Sequence, residues 1–263
     1  MATSLERQRR SNNVMNAEPC CADSFAFAQQ CIITAPVITD VISLELISTM
    51  NLNSIRSFFS SLPNQPGEFD SLNFEQLPAA SEALLASIES NLGFRIPVEL
   101  RDFLLQTEAL TFQYGWELPE SLLPDAKELG LGDFIHGGGK IDGNCIFDDF
   151  NECQKYANES WLNDDEFRED QEIWKNTLPF LKMANGDYLG LDPKTHAVNY
   201  LSHDADSFRI SSSFDDFLEC WSLLGYIGPE HWILKPFLQN SRHLGPPSKE
   251  QKSAVERLFT TAR

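Results

Sequence analysis

Six acidic residues stand close together in one segment of the sequence: Asp164, Asp165, Glu166, Glu169, Asp170 and Glu172. Carboxylates at this density usually form a solvated face or loop, and they also attract a basic protein surface. We therefore treat this run as the best local candidate for docking a basic partner. The candidate contact residues are Asp164, Asp165, Glu166, Glu169, Asp170 and Tyr188.

Replacing Asp164, Asp165 and Glu166 with Asn or Gln should weaken binding to a basic partner. The affinity should also become less sensitive to salt, because fewer charge pairs are screened. Calorimetric titrations at low and high salt would measure both effects. An unchanged affinity at low salt would remove this run from the binding surface.

Aromatic residues have two alternative roles. Packing in the core or at the sheet edge is a simpler interpretation of Tyr188, Trp221 and Trp232 than stacking on a ligand. If one of them is exposed in the folded protein, it becomes a candidate anchor for a partner, because Trp and Tyr are enriched among the residues that dominate binding energy.

An enzyme is one functional class that the sequence raises. His203 and Asp204 follow a predicted strand and could transfer protons, but a polar strand end entering a turn explains them more simply. No Gly-x-Ser-x-Gly nucleophile motif occurs. Hydrolase activity in the purified protein, lost in His203→Ala, would support the enzyme hypothesis.

Nucleotide and metal sites are not predicted. The run Gly137-Gly138-Gly139 lacks the Gly-Lys-Ser/Thr ending of a phosphate loop, so we predict a flexible hairpin or loop there. Asp142-Gly143-Asn144 lacks the later ligands of a calcium loop. The six cysteines form no Cys-x-x-Cys pair and predict a reducing, cytoplasmic chain without disulfides. We expect no cofactor and no metal.

The charge is strongly negative, with a formal net value of -19. Residues 50–240 carry -20, whereas residues 1–49 carry -2 and residues 241–263 carry +3. Such a body repels nucleic-acid phosphates, so we exclude nucleic acid as a partner and expect a basic protein. Residues 31–47, the most apolar early stretch, contain Pro36 and two acids, which argues against a membrane span.

The sequence divides into four segments. Residues 1–49 show no clear period and predict a poorly ordered leader or an over-extended start before Met50. Residues 50–77 predict an N-terminal helix and a linker, and residues 78–240 a single folded domain. Residues 241–263 predict a short basic tail, either a small docking helix or a frayed end.

Local patterns within residues 78–228 predict helices before and after a β-meander. Residues 78–92 carry the apolar spacing of a buried helix face, and a second helix starts after Ile96-Pro97. Asn185-Gly186 is a strong hairpin signal between two apolar runs. Ser213 is a suitable N-cap for a helix that ends at Gly225. This order indicates an α+β fold with a mostly antiparallel sheet flanked by helices.

Residues 78–230 resemble the SUKH superfamily of yeast cell-wall regulators and bacterial immunity proteins. The resemblance rests on the helix pair IESNLGFRIPVELRDFLLQTEA, then on LPFLKMANGDYLGLD, VNYLSHD and SSFDDFLECW. It implies an α+β fold, no enzymatic activity and binding to another protein, in many relatives a toxin domain that is often a nuclease. The alternative is a regulatory or scaffold module without a toxin partner.

Overall fold

The computed structural model of the protein describes residues 52–159 and 167–259. The helices there are α1 (Leu52–Ser61), α2 (Glu82–Leu92), α3 (Val98–Leu104), α4 (Leu123–Glu128), α5 (Ile146–Ala157), α6 (Arg168–Lys175), α7 (Phe214–Leu223), α8 (His231–Leu234) and α9 (Lys249–Phe259). The strands are β1 (Glu68–Gln76), β2 (Ala109–Glu117), β3 (Phe134–Asp142), β4 (Leu178–Lys182), β5 (Tyr188–Leu191), β6 (Val198–Leu201), β7 (Phe208–Ser211), β8 (Leu238–Gln239) and β9 (His243–Leu244).

Strands β1 to β7 form one sheet in which every strand pairs antiparallel with the next one along the chain. Helices α5 and α6 lie in the connection between β3 and β4, and α7 follows β7. The predicted α+β fold, a central antiparallel sheet flanked by helices, is confirmed.

One face of the sheet carries the main core. Alternation along β2 places Phe112, Tyr114 and Trp116 on this face, all fully or almost fully buried. Phe59 of α1 packs edge-on against Phe112. Trp221 of α7 also packs on Phe112, and Phe259 of α9 packs on Trp116. These rings bury a large apolar area, so burial of this layer stabilises the fold.

Strand β1 lies in a segment that the sequence predicted to be a linker. It pairs with β2 almost throughout, from the Glu68–Glu117 pair to the Gln76–Leu110 pair. In the tail, the helix rather than the frayed end is present, because α9 buries Ala254 and Leu258 completely. Both ends of the described chain therefore contribute to the core.

The prediction of a flexible hairpin or loop at the glycine run is wrong. Gly137, Gly138 and Gly139 lie inside β3, which pairs with β2 over its whole length. A Cβ at Gly137 would lie 2.3 Å from the carbonyl oxygen of Tyr226, and one at Gly139 would lie 2.5 Å from Leu181 Cδ1. The glycines allow neighbouring segments to approach β3 closely, which requires the absence of side chains.

The predicted meander and the helix after it are present. Strand β4, the turn at Asn185-Gly186 and strand β5 form the expected hairpin, with Gly186 at φ 93°. Ser213 accepts a hydrogen bond from the backbone N–H of Asp216 at 3.1 Å, as an N-cap should.

Ser213→Ala should lower the free energy of unfolding by about 1 kcal/mol, because the first turn of α7 loses its side-chain acceptor. Urea denaturation followed by circular dichroism would measure the change. Ser212→Ala provides a neighbouring control, since Ser212 bonds only the exposed side chain of Asp216 among the described contacts. Equal effects of the two substitutions would contradict the capping role.

The opposite face of the sheet is only partly covered. Helices α5 and α6 cover β5 and β6 through a small second core containing Trp174, Tyr188 and Leu201. On β1 to β3, by contrast, Asn73, Gln113 and Lys140 are exposed. We call this open surface of β1–β3 the outer face.

The predicted leader, residues 1–49, lies outside the described residues. None of the helices in the described part of the chain combines the length and the hydropathy that crossing a bilayer would need.

Candidate functional site

The described residues of the acidic run lie in different environments. Asp164, Asp165 and Glu166 lie outside the described residues. Glu169 is exposed on α6. Asp170 is half-buried and accepts a hydrogen bond from the backbone N–H of Ser207 at 2.6 Å. Burial raises the pKa of the Asp170 carboxyl, and that hydrogen bond opposes the rise. Asp170 therefore attaches α6 to the β6–β7 loop, whereas Glu169 is exposed to solvent.

A cleft of about 650 Å³ lies beside α6. Its charged side chains have both signs: Glu169, Glu172, Asp192, Lys194, Arg209 and Arg242. Arg242 is paired with Asp206 at 3.2 Å. The cleft thus offers a mixed-charge surface, in contrast to the uniformly acidic cleft that a purely basic partner would favour.

Tyr188 is only 2% exposed and does not present a surface to a partner. Its ring packs edge-on against Trp174, and the ammonium of Lys182 lies 5.3 Å from its centroid. Trp221 is also buried, but Trp232 on α8 is 58% exposed. Among these three aromatics, Trp232 is therefore the candidate anchor.

His203 belongs to a hydrogen-bond network centred on the buried carboxylate of Asp187. Asp187 Oδ1 accepts from the backbone N–H of His203 at 3.0 Å and contacts His203 Nδ1 at 2.7 Å. Asp187 Oδ2 accepts from Tyr200 Oη and Asn185 Nδ2, both at 2.7 Å. Burial, and then the hydrogen bond to Asp187, raise the pKa of Tyr200.

This network joins the β4–β5 hairpin to β6 and to the loop after it. Both oxygens of Asp187 already have partners, as buried carboxylates require. Asp204 contributes another ligand-type atom within 4.8 Å, but a cation could bind Asp187 only in competition with these donors. The arrangement explains His203 and Asp187 as a structural cross-link.

A smaller recess opens on the outer face beside Gly137–Gly139, with the carboxylate of Glu230 in its lining. Glu230 has no signal in the sequence, because the residue stands alone, far from the acidic run, and belongs to no motif. The preceding pair Gly228-Pro229 indicates a turn but does not indicate a binding site.

The described cysteines are free thiols, with Cys153 and Cys220 buried and Cys145 exposed. Burial raises the pKa of the Cys153 thiol well above its usual value. A buried, protonated thiol behaves as a small apolar side chain. Cys153 of α5 therefore packs as an apolar residue of the second core.

Comparison with curated proteins finds no match for this chain. A family model does match, with the description SMI1/KNR4 family (SUKH-1), over residues 79–220. The matched part runs from just before α2 into α7 and contains the sheet from β2 to β7. Because it covers more than half of the sequence, the chain belongs to the SMI1/KNR4 (SUKH-1) family.

Proposed function

We propose that the protein is a non-enzymatic, cytoplasmic immunity protein that binds a basic toxin domain, such as a nuclease, and neutralises it. The observation that carries this proposal is the net charge of -20 on residues 50–240 of a SUKH-1 protein. A nuclease must present a basic surface to bind its substrate. An acidic protein that covers this surface blocks substrate access without any chemistry of its own.

Long-range attraction between the acidic body and a basic toxin would speed their association. Charge gives speed and orientation, but a stable complex also needs a few well-packed anchors. Exposed Trp232 suits this role, because it offers a large apolar ring at the surface.

The proposal that the protein has no enzymatic activity rests on its family membership and on the sequence, which contains no Gly-x-Ser-x-Gly nucleophile motif. The contact of Asp187 with His203 Nδ1, and the hydrogen bonds of Asp187 with Tyr200 and Asn185, are accounted for by the cross-link between the β4–β5 hairpin and β6.

A regulatory or scaffold module without a toxin is the second candidate, and the mixed charge of the cleft beside α6 favours it. Lys194, Arg209 and Arg242 in that cleft suit a partner that also carries acidic groups. A large secreted toxin encoded next to this gene would favour immunity, and its absence would favour regulation.

The test is co-expression of the full chain with a toxin-like protein encoded next to its gene, followed by affinity purification. Immunity function predicts a stoichiometric complex that dissociates more readily as salt increases. Failure of the two proteins to co-purify at low salt would reject this pairing and favour the regulatory role.

A further inference from the structure

The sheet opens between β3 and β4. Within the described residues these strands share one backbone pair, Ile141 with Leu181. Another part of the chain occupies the remaining edge of β3. The N–H of Gly138 donates to the carbonyl of Tyr226 at 2.7 Å, and the N–H of Gly228 donates to the carbonyl of His136 at 3.0 Å. This segment brings Glu230 to the opening.

The resulting recess has a volume of about 170 Å³. Its walls include Gln113 on the outer face, the backbone of Gly137–Gly139 and the hairpin residues Met183 and Ala184. Sites for drug-sized ligands usually measure about 300–1,000 Å³. The recess is therefore suited to a single side chain.

Glu230 gives the recess its chemistry. The residue is only 8% exposed, and its Oε2 atom has no hydrogen-bond partner among the described residues. The nearest ion-pair contact is His136 Nε2 at 3.8 Å, beyond hydrogen-bonding distance. A buried carboxylate oxygen without a donor is unfavourable, so this arrangement favours a ligand that supplies one.

Lys182 also lines the recess, but its ammonium does not donate a hydrogen bond to Glu230. Lys182 directs its ammonium to Glu152 Oε2 at 2.6 Å on α5. A divalent metal is also poorly matched, because Ca²⁺ requires about six to eight oxygen ligands and the lining contains one carboxylate. A cationic side chain needs only one carboxylate and forms charge-assisted hydrogen bonds with it.

We propose that this recess receives a lysine or arginine side chain of the protein partner, which pairs with Glu230. The proposal rests on the proposed function and identifies one contact of its binding surface. The wall of the recess at Gly137 and Gly138 carries no side chains, because a Cβ at either position would collide with neighbouring backbone. Partner binding would then supply the donor that Glu230 lacks.

The test uses two blocked tripeptides as probes, one with a central arginine and one with citrulline, its neutral analogue. Titration into the isotopically labelled full chain should shift the amide signals of Gly137–Gly139 saturably for the arginine peptide. Glu230→Gln should weaken this binding at least about tenfold, because it removes a charge-assisted pair. Glu219→Gln on the exposed surface of α7 is the control and should not alter it.

Thermal unfolding of the same variants gives a second readout. Glu230→Gln should unfold at the same temperature as the natural protein or higher, because it removes a buried charge whose Oε2 atom has no hydrogen-bond donor among the described residues. Equal binding of the citrulline peptide, no effect of Glu230→Gln, or no shift of the glycine amides would overturn the proposal. Peptide binding without co-purification of the toxin would retain the recess and reject the toxin, and the converse result would reject only the recess.

Discussion

Gly138→Ala should lower the free energy of unfolding by at least about 3 kcal/mol, through backbone strain combined with a steric clash. Gly138 has φ 82°, a conformation that residues with a side chain rarely adopt. A Cβ there would lie 1.6 Å from the carbonyl oxygen of Phe112. Because Phe112 belongs to the paired strand at the centre of the core, neither strand can move away cheaply.

Urea denaturation monitored by tryptophan fluorescence would measure this effect. Gly132→Ala is the matched control, because the nearest atom to its added Cβ is Phe134 N at 4.0 Å. The control should change stability by no more than about 0.5 kcal/mol. Similar effects of the two substitutions would show that β3 does not depend on Gly138.

Asp187→Ala should destabilise the protein by about 3 kcal/mol. The substitution leaves the buried hydroxyl of Tyr200 and the partly buried backbone N–H of His203 without their acceptor. A donor left without an acceptor loses its native hydrogen bond and does not replace it fully with a hydrogen bond to water. The β4–β5 hairpin would also lose its attachment to β6.

Asp204→Asn is the control, because Asp204 is exposed and accepts only a 3.2 Å hydrogen bond from Ser202 among the described contacts. It should have little effect on the midpoint of urea unfolding. If Asp187→Ala cost less than about 1 kcal/mol, the structural explanation of the Asp187–His203 network would be wrong.

Elements with local signals were predictable. Asn185-Gly186 specifies its own turn, and Ser213 caps α7 through a residue only three positions away. The helix pair α2 and α3 is defined by apolar spacing and by the left-handed Gly93 between them. In each case the residues that determine the structure are neighbours in sequence.

Elements that depend on distant partners were not predictable. Consecutive glycines usually indicate a turn, and only the close approach of Tyr226 and Phe112 explains their place in β3. Strand β1 is exposed along most of its length, so it lacks a clear apolar alternation. Its position is determined by pairing with β2, about forty residues later.

The candidate site shows the same division. Charge density identified Glu169, which is exposed, and the same reasoning included Asp170, which is used largely within the fold. Tyr188 is a candidate aromatic contact by its residue type, but α5 and α6 bury it. Glu230 gave no sequence signal, because its isolation results from the opening between β3 and β4.

The most direct test of the proposed immunity function is the growth of cells that express a toxin-like protein encoded next to this gene, with or without this chain. We expect the full chain to restore growth and Glu230→Gln to restore it less well at matched protein levels. Glu219→Gln should protect as well as the natural sequence. Continued growth arrest in the presence of abundant, folded protein would contradict the proposed immunity function.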